Sequence, residues 1–147
     1  MLRMCIHRTM QTSFWIEINH SRKSLKRFAS AGFKRDGKSR IFVHSDSSFT
    51  IDFPRGPLAV GGDYVRETAV LQNGEMMLRI LTPTDCVRDR LAHFYHWEDF
   101  TALNAAVGVA RAKKEDIDMS LLRSWSERED SLGKFAEFER RLDAANR

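Results

Sequence analysis

The sequence predicts an α+β protein, with a small mixed β-sheet in its first half and a helical C-terminal half. Three observations carry this prediction. Up to residue 81, bulky apolar residues come in short runs bounded by Gly, Pro, Asn, Asp and Ser, as strands and turns require. Beyond it, apolar residues recur every three or four positions, the period of a helix with one buried face. The change falls at Thr82-Pro83-Thr84-Asp85, where a threonine can cap and proline fits a first turn with no amide to waste. The order of elements is therefore a strand, a helix, four strands and three or four helices. The whole of 1–147 is expected to form one domain, with an α/β half over 1–81 and a helical half over 82–147.

The first expected strand is Ser13–Ile18, where Phe14, Ile16 and Ile18 alternate with Trp15 and Glu17. A helix should follow from Arg22 to Ala31, with Leu25, Phe28 and Ala29 on one face and Lys23, Lys26 and Arg27 on the others. Gly32 is placed to end it. Arg40–His44 and Phe49–Phe53 read as a hairpin around Ser45–Ser48. Pro54 to Pro57 breaks the second strand, and Gly61-Gly62-Asp63 makes a turn. Tyr64–Leu71 and Met76–Leu81 read as a second hairpin, joined where Asn73-Gly74 signals a turn.

In the helical half, Val87, Leu91, Phe94 and Tyr95 form one apolar face, and Arg88, Asp89 and Arg90 fall on the other faces. Trp97 closes this helix and is expected to be structural, like Tyr95. Glu98-Asp99 can cap the next helix, whose period runs through Leu103, Ala106, Val107 and Ala110 to about Ala112. Leu121, Leu122 and Trp125 mark a third helix. Leu132, Phe135, Phe138 and Leu142 mark a fourth.

Composition narrows the function classes. No apolar run approaches the roughly 20 residues of a membrane-spanning helix, so no membrane partner is expected. The two cysteines, Cys5 and Cys86, lack the paired spacing of a disulfide framework or zinc knuckle, which fits a reducing cytoplasm. Charge is unevenly spread. Residues 1–40 carry ten Lys or Arg against only Glu17 and Asp36, a surplus of eight; with +4 overall, the remainder carries −4. A basic front suits a nucleotide phosphate or RNA. Few aromatic residues interleave with it beyond Phe28 and Phe33, so no stacking platform for bases is indicated.

The stretch Leu81–Asp99 resembles the signature of a bacterial nucleotidyltransferase-like family, related to the abortive-infection type toxin nucleotidyltransferases. Ala31–Phe33, Phe49–Gly61 and Trp125–Glu129 match further blocks, so the resemblance runs from about Phe14 to the end. It implies a nucleotidyltransferase-type sheet. It also implies an active site of three carboxylates on neighbouring strands, holding two divalent ions, with a Gly-Ser or Gly-Gly turn that admits phosphates to a helix N-terminus. On that pattern Asp52, between Ile51 and Phe53, takes the place of the third carboxylate. The acidic pair should precede Phe14, where Met10-Gln11-Thr12-Ser13 holds no acid and no Gly-Ser element comes before. Glu17 is the one acid on that strand.

The expectation is therefore a catalytically impaired or truncated member of the family. It would act as a binding or regulatory module, with a toxin–antitoxin or phage-defence pair as its setting. Nucleotide or RNA would bind through the basic N-terminal segment, and a protein partner fits the same role. The chain as it stands needs no cofactor. The alternative is an active enzyme moving a nucleotide onto RNA or protein, with Asp52 and Glu17 on magnesium and Lys23, Lys26 and Arg27 near phosphate. Two weaker patterns lie on the signature helix. Asp89, His93 and His96 have the spacing of a metal face. Arg90 followed by His96 resembles the spacing in helical ribonuclease toxins of the nucleotide-binding helical class.

Overall fold

The computed structural model describes residues 2–8, 12–18, 29–37, 41–52, 59–73 and 76–145. The α+β class holds. The chain divides into two compact units, one of 1–58 with 68–80, the other of 59–67 with 81–147.

The first unit is a seven-stranded sheet. Its strands are β1 (Leu2–Arg8), β2 (Thr12–Ile18), β3 (Lys34–Arg35), β4 (Ile41–His44), β5 (Ser47–Asp52), β8 (Thr68–Asn73) and β9 (Met76–Leu81), in the spatial order β3-β4-β5-β1-β2-β9-β8. Every pairing described in it is antiparallel, so the mixed sheet expected from sequence is not what forms. The short links within the β1–β2 and β4–β5 pairs explain this, because a parallel pair needs a crossover of a dozen residues or more.

Strand β1 was not among the expected elements. Leu2, Met4 and Ile6 alternate with Arg3, Cys5 and His7, the period of a half-buried strand. It sits at the middle of the sheet, pairing with β2 from Leu2↔Ile18 to Arg8↔Thr12 and with β5 from Cys5↔Asp52 to Arg8↔Phe49.

The hairpin of β4 and β5 forms with a tighter loop than expected, leaving only Ser45 and Asp46 outside the strands. His44 explains the tight turn. Its Nδ1 accepts the Asp46 N–H at 3.0 Å, and its Nε2 donates to the Ala31 carbonyl at 3.1 Å. Gly32 ends the helical residues Ala29 and Ser30 at φ +88°, and a β-carbon there would collide with the His44 imidazole. The rest of the expected helix over Arg22–Ala31, the Pro54–Pro57 break and the tip of the Asn73-Gly74 turn lie outside the described residues.

Among its described residues the second unit holds four helices and one hairpin. The hairpin pairs β6 (Ala59–Val60) with β7 (Asp63–Tyr64) around Gly61-Gly62, so the strand expected over Tyr64–Leu71 divides in two. The helices are α1 (Pro83–Trp97), α2 (Phe100–Ala112), α3 (Met119–Arg128) and α4 (Leu132–Ala144), with a short 3-10 turn at Lys114–Asp116.

Side chains fix the starts of α1, α2 and α3, while α4 begins after Ser131 with no side-chain cap. The Thr82 hydroxyl accepts the Asp85 N–H, Asp99 accepts those of Thr101 and Ala102, and Asp118 accepts that of Leu121. Apolar stripes then merge into one core. Val60, Leu91, Leu103, Leu122, Trp125 and Phe138 are buried in it, and each large side chain contributes about 1.5–3 kcal/mol of transfer free energy.

Two expectations about α1 are corrected. Trp97 is 69% exposed, because it is the last residue of α1, past the turns in which Arg90, on nearly the same side, is covered. Arg88, Asp89 and Arg90 are not a solvated face; all three are buried. The hairpin and the other helices cover α1 on several sides, and the charges persist there because they pair with one another.

Candidate functional site

A polar cleft of about 940 Å³ lies within the helical unit, walled by the β6–β7 hairpin, the start of α1, and the 3-10 turn leading into α3. Arg88 anchors it. One turn into α1, the buried guanidinium donates to Asp85 Oδ1 at 2.9 Å, and at 3.4 Å to both the Val60 carbonyl and Asp63 Oδ2. It also lies 5.4 Å over the Trp125 ring. Its Nε is buried with no acceptor among the described residues. From α3, Arg128 adds a second guanidinium to Asp63 at 2.7 Å. Asp63 thus ties the hairpin to two helices at once.

The opposite wall is pinned by Thr84. Its hydroxyl donates to the Asp116 carbonyl at 3.2 Å and accepts the Asp118 N–H at 3.0 Å. That leaves the carboxylates of Asp116 and Asp118 at the surface, beside exposed Glu67 and Arg66. Tyr64 is 66% exposed at the rim. None of Tyr64, Glu67, Asp116 and Asp118 was singled out from sequence as a site residue. Only their exposure in one place marks them, and no local motif would have found them.

The expected site residues are dispersed. Asp52 lies at the end of β5, opposite Cys5 on β1 and Ile41 on β4. Glu17 lies on β2, opposite Arg3 and Arg79. Strand β1 runs between them, and they face positions two residues apart on it, so two strand spacings of about 9–10 Å and an offset of about 7 Å along the strands separate their backbones. They do not stand on neighbouring strands, as a shared magnesium site of the family pattern requires, and no acid occupies a register position opposite either. Lys23, Lys26 and Arg27 lie outside the described residues.

On α1, Asp89 Oδ2 receives Arg90 at 2.7 Å, and the His93 ring lies tilted against that of Trp97, 4.9 Å between centroids. His96 is half-exposed, with its Nε2 at 3.6 Å from Glu129. Arg90 and His96 stand six residues apart, about 120° around the helix, one buried and one exposed. Among the described residues no group of three His, Cys, Asp or Glu is placed to hold a metal ion, and no helix is long and apolar enough to cross a membrane.

Two groups near the core titrate unusually. Burial pushes the Cys86 thiol up, which disfavours the thiolate and makes it a poor nucleophile. Burial likewise pushes the Tyr95 phenol up to about 12, opposed by its hydrogen bond to Ser126. Neither group lines the cleft.

What fold and site define together is an α+β protein with a charged cleft in its helical unit. In comparison with known proteins, the chain matches no family model, no curated protein and no solved structure.

Proposed function

We propose that this chain is a nucleotidyltransferase-like binding or regulatory module, one component of a toxin–antitoxin or phage-defence pair, and not itself the enzyme that moves nucleotides. The observation that carries the reading is the sheet register. Asp52 is flanked across strands by Cys5 and Ile41, and Glu17 by Arg3 and Arg79. Opposed charges at directly facing positions support a sheet, whereas two-metal chemistry needs several carboxylates converging from rigid neighbours. The cleft of the helical unit offers a polar surface that suits recognition, and the basic N-terminal segment suits RNA or nucleotide phosphate.

Titration calorimetry with ATP, CTP, GTP and UTP, each with magnesium, tests the reading. The expected result is no binding in the micromolar range. A micromolar Kd abolished by Asp52→Ala would restore the active nucleotidyltransferase. For RNA, replacing Lys23, Lys26 and Arg27 by Gln should weaken binding alike for all sequences and flatten its salt dependence. RNA cleavage lost in His96→Ala but kept in that triple variant would instead move the function to α1.

A further inference from the structure

We propose that β8 is the contact through which two copies of this chain associate, each adding its edge strand to the other's sheet in antiparallel pairing about a two-fold axis. The proposal is separate from the binding-module reading and does not need it. Strand β8 closes one end of the spatial order of the sheet, and β3 closes the other. Among the described residues no strand lies beyond either. An edge strand carries a row of backbone N–H and C=O groups on its outer side, and proteins guard such rows with charge, proline or shortness. Strand β3 has two of these guards, being two residues long, with both Lys34 and Arg35 exposed. Strand β8 has none of them. It runs for six residues, Thr68-Ala-Val-Leu-Gln-Asn73, without a charge or a proline.

The exposure of β8 decides the shape of what it takes. Val70 and Leu71 are 47% and 54% exposed. As neighbours on a strand they point to opposite faces of the sheet. A helix or loop laid on one face would cover one and leave the other. A further strand alongside covers both, because its residues stand beside those of β8 on each face.

Charge and the far edge decide which strand. A strand bearing Lys or Glu would find no counter-charge on β8, whereas a second β8 brings no charge. Pairing β8 of one copy with β3 of the next would build an open chain of molecules, and it would set Lys34 and Arg35 against an uncharged strand. Pairing β8 with β8 is self-complementary and closes at two copies. The two-fold axis then stands normal to the sheet and keeps every side chain on its own face. For the longest overlap, Val70 or Leu71 must therefore face its own copy. Either register sets only uncharged residues of β8 against one another.

Sedimentation velocity of the full chain, from low to several hundred micromolar, tests the proposal. The expected result is a reversible equilibrium between monomer and dimer. Val70→Lys, Val70→Glu, Leu71→Lys and Leu71→Glu should each weaken dimerisation about tenfold or more, since like charges then meet near the axis. Melting curves check that each variant is folded. Mixing Val70→Lys with Val70→Glu, or Leu71→Lys with Leu71→Glu, should restore the dimer, most strongly at the residue that faces its own copy. A chain that stays monomeric throughout overturns the proposal. So does a dimer indifferent to all four substitutions, assembly that continues past the dimer, or folded variants that recover in neither mixture.

Discussion

The hydroxyls of Tyr95 and Ser126 meet at 2.7 Å inside the helical unit, joining α1 to α3 across a core in which both are buried. Ser126 also donates to the Leu122 carbonyl, and the Tyr95 ring stacks on Trp125 at 5.5 Å. The pair sets how α1 and α3 meet, since any slip would strand a polar atom in an apolar core.

Ser126→Ala should therefore destabilise the protein by about 1–3 kcal/mol, by leaving the Tyr95 hydroxyl without its partner. Chemical denaturation read by tryptophan fluorescence checks this. The pH dependence has a definite sign. The folded phenol titrates near 12 and an exposed one near 10, so its contribution is complete below pH 10 and lost between about pH 10 and 12. The loss attributable to Tyr95 should be on the order of 2–3 kcal/mol, and Tyr95→Phe should remove that part of the alkaline destabilisation. An unchanged alkaline limb in Tyr95→Phe would refute it.

Gly61→Ala should cost about 1–3 kcal/mol. Gly61 turns the β6–β7 hairpin at φ +59°, and a β-carbon there would lie 2.8 Å from Glu129 Oε1. Two causes are separable in thermal melts. Adding Glu129→Ala should relieve the collision but not the backbone strain, so it should restore only part of the lost stability. The equivalent change at Gly62, where nothing lies within 4 Å, should cost less.

Arg88→Met should destabilise by on the order of 3 kcal/mol, because it leaves Asp85 with a largely buried, uncompensated charge. It also frees the β6–β7 hairpin from α1. Protease nicking within 59–67 should therefore rise along with the loss of stability. A variant as stable and as resistant as the parent would show that the Arg88 network holds nothing.

Trp97→Ala and Trp125→Ala should behave oppositely. Trp97 is 69% exposed and its removal should change stability by no more than about 0.5 kcal/mol. Trp125 is 1% exposed and its removal should cost about 3–5 kcal/mol. Equal losses in the two melting curves would contradict the orientation of α1.

The sequence by itself determined what is local. Thr82, Asp99 and Asp118 announce three helix starts, since a cap bonds to amides two or three residues away. The stripes through Leu91, Leu103, Leu122 and Phe135 fix which face of each helix turns inward, and Gly32 and Gly61 mark reversals that other residues strain to make. Strand β1 is also legible locally, in the alternation of Leu2, Met4 and Ile6 with Arg3, Cys5 and His7.

Only the tertiary structure decided the rest, because each such fact depends on partners distant in the chain. It placed β1 between β2 and β5, and thereby Asp52 and Glu17 on strands that do not touch. It assigned 59–67 to the helices, where Val60 fills the core and Asp63 draws in Arg88 and Arg128. It buried Arg88, Asp89 and Arg90 while exposing Trp97. Hydropathy predicts the reverse, since it records the cost of burying a charge alone and not the partners that offset it.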